Sequence, residues 1–143
     1  MTARQAICRR SLLTSAGLLV AVALVVAVVV IPQVRIDASR GGTPEKVVTV
    51  FWANFGFTLL SALSLFVIAT RSTAASWVAR SLLIIVGLVV LFLGITCVDA
   101  AFAYISHDPA MRSGSILLFI CGAVDLLVGV VAVAAAFLLP KKT

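Results

Sequence analysis

Four long runs of apolar residues divide the chain, and short polar segments separate them. The runs cover residues 11–31, 47–70, 81–105 and 113–139. Each run is longer than the roughly 20 apolar residues that an α-helix needs to cross the hydrocarbon core of a bilayer. Short connections between such helices favour antiparallel neighbours. The pattern therefore predicts a single all-α membrane domain over residues 1–143, built as an antiparallel bundle of four transmembrane helices.

The longest polar segment, residues 32–46, follows the first span. Pro32, Gly41, Gly42 and Pro44 all interrupt regular structure. We therefore expect Pro32 to end the first span, with an exposed outer loop over residues 32–46. This loop is too short to fold as a domain. It is either a solvated connector or a surface that the protein offers to a partner.

The fourth span carries one carboxylate, Asp125, near its middle. Because a helix turns about 100° per residue, most of the small residues of this span fall on the same face as Asp125. They include Cys121, Gly122, Gly129 and Ala132. Small residues let a neighbouring helix approach closely, and a carboxylate avoids lipid. We therefore expect this face to point into the bundle.

The third span has two contrasting faces. One face carries small residues, which are Gly87, Gly94, Cys97 and Ala101. Asp99 lies on roughly the opposite face. The small-residue face predicts a groove that a neighbouring helix enters. The short connection over residues 106–112 also predicts that the third and fourth spans form the tightest pair.

A polar stripe runs along the second span, where Asn54, Thr58 and Ser61 recur at helical spacing. A polar stripe in a membrane helix should face the other helices. There its side chains either form hydrogen bonds between helices or line a path for a polar substrate or ion. The spacing alone leaves both interpretations open.

The polar residues of three spans are expected at related depths. At 1.5 Å per residue, Asn54 and Asp99 each lie roughly 10 Å from the same membrane surface, and Asp125 lies roughly 18 Å from it. Asn54 and Asp99 could therefore meet in one layer. Burial penalises a charged carboxylate, so we expect Asp125 to be neutral. Otherwise it shares a hydrogen bond with the donors of the second span, which are Asn54, Thr58 and Ser61.

Composition supports a membrane location. Of the 143 residues, 63% are hydrophobic and 11% are charged, and the mean hydropathy is +1.26. A soluble domain has about 25% charged residues. This chain therefore has too little polar surface to cover a water-soluble globule, and the sequence predicts a multi-pass integral membrane protein.

The net charge of +6 is distributed around the ends of the apolar runs. One set of flanks carries Arg4, Arg9, Arg10, Arg71, Arg80, Lys141 and Lys142, and the other carries Arg35, Arg40, Lys46 and Arg112. We interpret these residues as topology anchors, and the positive-inside rule places both chain termini in the cytoplasm. No basic patch is interleaved with aromatic residues, so a nucleic-acid partner is not expected.

The residues offer little catalytic chemistry. Cys8, Cys97 and Cys121 form no CxxC pair, and His107 is the one histidine, so we expect neither a metal site nor another cofactor. Cys97 and Cys121 are expected to pack as small apolar residues, or to pair as a disulfide if their helices face each other there. No nucleophile stands with a positioned base. We therefore do not expect an enzyme.

Two functions fit this sequence. The protein is either a non-enzymatic accessory or structural subunit, such as a tetraspan scaffold, or a small oligomeric proton- or cation-coupled transporter or channel. The first would associate through the small-residue groove of the third span and the 32–46 loop. The second would use the intramembrane acids Asp99 and Asp125. The expected partners are the lipid bilayer and either other membrane proteins or further copies of this chain.

Overall fold

The computed structural model of the chain describes residues 3–41, 44–71, 77–107 and 112–139. The helices are α1 (Ala3–Val25), a π-helical turn (Val26–Val30), α2 (Ile31–Ser39), α3 (Glu45–Arg71), α4 (Trp77–His107) and α5 (Arg112–Leu138). Four helices in the described part are long and apolar enough to cross a membrane, the first of them running unbroken over Ala3–Ser39. The prediction of an all-α bundle with four spans is therefore confirmed.

Pro32 does not end the first span, and that part of the prediction was wrong. Proline lacks an N–H group, and its ring collides with the carbonyl four residues earlier in a regular helix. The π-helical turn lies directly before it, where the Ile31 N–H donates to the oxygen of Val26, five residues back. Such local adjustments let membrane helices continue through proline.

The predicted 32–46 loop is consequently much shorter. Residues 31–39 are helical, and Val34 is buried rather than exposed. The helix ends where the Arg40 N–H donates to the carbonyl oxygens of Ile36 and Asp37. The next residue, Gly41, has a φ of +79°. A left-handed φ of this kind is readily adopted by glycine. Gly42 lies outside the described residues.

The helices form a closed ring in which α1 contacts α3 and α5, and α4 also contacts α3 and α5. Of these pairs, α4 and α5 pack together most extensively, as the short connection between them predicted. This antiparallel arrangement brings the start of α1, the end of α3, the start of α4 and the end of α5 to one end of the bundle. We call this the basic end, because it carries Arg9, Arg10, Arg71 and Arg80.

Glycines bring α4 and α5 into backbone contact at two levels. A Cβ atom added to Gly94 would lie 2.9 Å from the carbonyl oxygen of Gly122, and one added to Gly122 would meet the Gly94 oxygen at the same distance. Gly87 and Gly129 are matched in the same way, at 3.0 Å. Side chains at these positions would force the helices apart, so only glycine permits this approach.

Candidate functional site

Two apolar clusters fill the bundle, one above the other. The basic-end cluster includes Leu12, Leu19, Leu65, Leu83 and Val128. The far-end cluster includes Val26, Val34, Phe51, Ala101 and Leu118. In α3, Asn54 and Thr58 fall between the residues that belong to the two clusters, and in α5 the same is true of Asp125. The core therefore contains a polar layer between two apolar regions.

The polar layer consists of Asn54, Thr58, Ser61 and Asp125, and each of these residues is buried. The Asn54 Nδ2 donates to the Cys97 sulfur at 3.4 Å, which joins α3 to α4. The Thr58 hydroxyl donates to the Asn54 carbonyl oxygen at 2.8 Å, within its own helix. The α3 stripe thus faces the other helices, and one of its members bonds to a neighbour.

Asp125 is 0% exposed, and neither of its carboxyl oxygens has a hydrogen-bond partner among the described residues. The alternative in which Asp125 shares a hydrogen bond with Asn54, Thr58 or Ser61 is therefore wrong. The amide of Asn54 is directed to Cys97, and the hydroxyl of Thr58 is used within α3. That Asp125 is neutral stays a prediction.

Two thiols accompany Asp125 in the core. Cys97 on α4 and Cys121 on α5 are both buried and free, and both lie within electrostatic range of Asp125. They are not joined as a disulfide. In the part of the chain that the structure describes, no three potential metal ligands come together.

Asp99 is placed very differently, because its side chain is exposed on the outside of the bundle. It belongs to an outward stripe of α4 that also carries Phe92, Ile95 and Phe102. The expected meeting of Asn54 and Asp99 in one layer was therefore wrong. Cys97, which is two residues earlier and turned to the other side of α4, takes that place beside Asn54. The two intramembrane acids do not share a site.

The small residues of α4 and α5 lie inside the helix pair. Gly87, Gly94, Gly122 and Gly129 face each other across it, and Cys97, Ala101, Cys121 and Ala132 are buried nearby. The groove of the third span is therefore filled by α5 of the same chain. The sequence suggested that this groove docks on a partner, but a groove that is already filled cannot do so.

The anchors Arg9, Arg10 and Arg71 are exposed at the basic end. Arg80 is less exposed, and its guanidinium donates to the carbonyl oxygen of Leu139 at the end of α5. Lys141 and Lys142 lie outside the described residues. This hydrogen bond satisfies a carbonyl at the C-terminal end of α5 and links that end to the start of α4.

Sequence reasoning missed two buried polar groups at the far end. The Gln33 oxygen lies directly over Gly114, where an added Cβ would overlap it. This oxygen and the hydroxyl of the buried Ser115 have no hydrogen-bond partner among the described residues. Gln33 was assigned to a loop because Pro32 was expected to end the helix. The helical spacing of the apolar residues Ile31 and Val34 across Pro32 was the available signal.

Comparisons of the chain with protein-family models, curated proteins and solved structures gave no match.

Proposed function

We propose that this multi-pass membrane protein is a non-enzymatic accessory subunit that associates with another membrane protein through the outward face of α4. One observation carries the proposal: Asp99, a carboxylate within a membrane-spanning helix, lies on the exposed surface of the bundle. Aliphatic and aromatic side chains surround it on this face, and lipid offers no partner for it.

The energetic argument concerns the environment of the Asp99 carboxyl. Asp99 lies eight residues before the end of α4, which is roughly 12 Å along the helix axis. Placing an acid in the membrane costs up to about 3 kcal/mol at the centre of a span, and less towards its ends. A hydrogen-bond donor or a cation on a partner helix would offset this cost. Intramembrane acids are for this reason candidates for specific contacts.

The residues around Asp99 suit a helix-docking surface. Phe92, Ile95 and Phe102 are each at least 60% exposed, so they provide apolar area on either side of the acid. Phe102 also contacts the ring of Phe119 on α5, with 5.9 Å between the ring centroids and nearly perpendicular planes. This contact holds one flank of the surface in a defined position before any partner binds.

The chemistry of Asp99 favours a different protein as the partner over a second copy of the chain. A symmetric dimer centred on this face would bring two carboxylates together, and like charges disfavour each other in low dielectric. A different protein can instead supply a serine, an asparagine or a basic side chain.

The test is co-purification from the native membrane in a mild detergent, followed by native mass spectrometry. We expect the wild-type chain to carry another membrane protein in stoichiometric amount. The Asp99→Leu variant should carry at least about tenfold less of this partner, which corresponds to a loss of about 1.4 kcal/mol in binding free energy. Leu60→Val on the exposed face of α3 is the control and should leave the complex intact.

Two results would contradict the proposal. In the first, the wild-type chain is isolated alone or as a homodimer. In the second, the Asp99→Leu variant retains the same partner as the wild type, which would mean that lipid covers this face.

A second candidate, proton- or cation-coupled transport, is favoured by one observation, the buried carboxyl of Asp125, for which the described part of the chain supplies no hydrogen-bond partner. A group of this kind can exchange a proton if water reaches it. Asp99 is exposed on the outside of the bundle and Asp125 is buried inside it, which counts against a single path that uses both within one chain. Proton flux in liposomes that Asp125→Asn abolishes would replace the accessory proposal with this one.

A further inference from the structure

A groove between α1 and α5 lies near the basic end and is independent of the α4 surface. It has a volume of about 320 Å³. Arg10 lies at its end nearest the chain terminus, and Ser11, Thr14 and Ser15 follow along the α1 wall. One turn deeper, Leu18 faces the groove opposite Leu127 of α5. The α1 wall therefore changes from cationic through hydroxylic to apolar along its length, whereas the α5 wall is apolar throughout.

This order matches the order of chemical groups in a phospholipid. A phosphate group carries negative charge at the membrane surface, ester and hydroxyl groups follow, and hydrocarbon lies below. Basic pockets between membrane helices are known to recognise anionic lipid headgroups. Arginine is well suited to this role, because its planar guanidinium can donate two parallel hydrogen bonds to phosphate oxygens.

The charges of the chain support an anionic occupant. All five acidic residues lie between Asp37 and Asp125, so none belongs to α1 or to the last turns of α5. Asp125 is fully buried and does not line the groove. Nothing acidic in the sequence near Arg10 therefore competes for its guanidinium.

A second groove on the other side of α1 provides an internal comparison. It lies between α1 and α3, has a volume of about 410 Å³, and is lined by apolar residues such as Leu13, Leu63 and Phe66. It has room for an acyl chain but no cation and no hydroxyl among its lining residues. Any lipid there would be held without headgroup preference.

We propose that the groove between α1 and α5 binds one anionic phospholipid from the leaflet at the basic end, with its phosphate at Arg10 and one acyl chain between Leu18 and Leu127. The apolar depth of the groove distinguishes this ligand from free phosphate, which would contact Arg10 alone. The site adds a defined lipid to the α1–α5 contact.

The experiment uses the full-length, delipidated protein in detergent and counts bound lipids by native mass spectrometry. The probes are dioleoyl phosphatidylglycerol and dioleoyl phosphatidylcholine, which share the same acyl chains. We expect one phosphatidylglycerol to bind at a concentration about fivefold or more below that needed for phosphatidylcholine, as one basic contact is worth about 1 kcal/mol. Inorganic phosphate at millimolar concentration should not displace it.

Arg10→Gln and Arg9→Gln form the matched pair of variants. Both arginines are exposed and adjacent in the sequence, but only Arg10 lines the groove. Arg10→Gln should remove the preference for phosphatidylglycerol, and Arg9→Gln should keep it. Leu127→Trp should fill the groove and weaken both lipids, while Leu63→Trp in the α1–α3 groove should leave the preference unchanged.

The proposal is overturned if both arginine variants weaken phosphatidylglycerol equally, because attraction would then be a property of the basic end as a whole. It is also overturned if inorganic phosphate displaces the lipid, or if the wild type binds the two lipids equally. Arg10→Gln changes an exposed side chain, so its result tests the proposal even if the tryptophan variants do not fold.

Discussion

The two faces of α4 are built from different residues and meet different surroundings. The face towards α5 carries Gly87 and Gly94, which allow backbone contact with Gly129 and Gly122. The outward face carries large apolar side chains and the carboxyl of Asp99. Backbone contact between two helices requires glycine at the contact. The outward face makes no such contact within the chain, so it can carry large side chains. One face of α4 is therefore used for packing within the chain, and the other is left exposed to lipid or to a partner.

The largest effect is expected from a side chain placed between α4 and α5. Gly94→Leu should lower the free energy of unfolding by about 3 kcal/mol, because overpacking forces the helices apart. Gly56→Leu on α3 is the control, since a Cβ added there has no atom of another described helix within 4 Å. Reversible unfolding in mixed detergent micelles measures both. Equal effects in the two variants would mean that the glycine contacts are not what holds α4 to α5.

An intermediate effect is expected inside the polar layer. Asp125→Val replaces a buried carboxyl, which has no partner among the residues that the structure describes, with an apolar side chain of similar size. Since an unsatisfied buried polar group costs about 1–3 kcal/mol, we expect the free energy of unfolding to rise by about 1 kcal/mol. Asp125→Asn, which keeps a polar group in place, should stay near the wild-type value. A marked loss of stability in Asp125→Val would instead show that the carboxyl is held by a structural contact.

The smallest effect on stability is expected on the outward face. Asp99→Leu should change the free energy of unfolding of the isolated protein by less than about 0.5 kcal/mol, as surface substitutions commonly do. Cys97→Leu, two residues away, should destabilise it, because Cys97 is buried and accepts the hydrogen bond from Asn54. The same unfolding assay compares them. A large loss in Asp99→Leu would mean that this carboxyl stabilises the chain itself, and the docking proposal would lose its basis.

Much of the fold follows from the sequence because membrane helices obey simple constraints. Run length determines the number of spans, and the helical repeat determines which residues share a face. Run length was sufficient to predict four spans, and the short connection over residues 106–112 predicted the pairing of the third with the fourth. The helical repeat was sufficient to place Asp99 opposite Gly94 on the helix.

The contacts between helices were harder to predict from the sequence. The depth estimate brought Asn54 and Asp99 to one level, but depth does not specify which side of α4 faces α3. That depends on the order of helices around the ring, which the helical repeat of a single span does not contain. For the same reason the donors of α3 were matched to Asp125, when Cys97 is the residue that Asn54 meets.

The π-helical turn over Val26–Val30 has a consequence for how the first span tolerates changes in length. A π turn holds one residue more than the α turn it replaces. Removing one residue there would therefore convert the turn to regular α-helix and leave the rotation of the helix beyond it nearly unchanged. Val34 would stay in the core, and the cost would fall on the contact between the proline ring and the carbonyl four residues earlier, which the π turn relieves. The same deletion in an α-helical part of the span would instead rotate everything beyond it by about 100°.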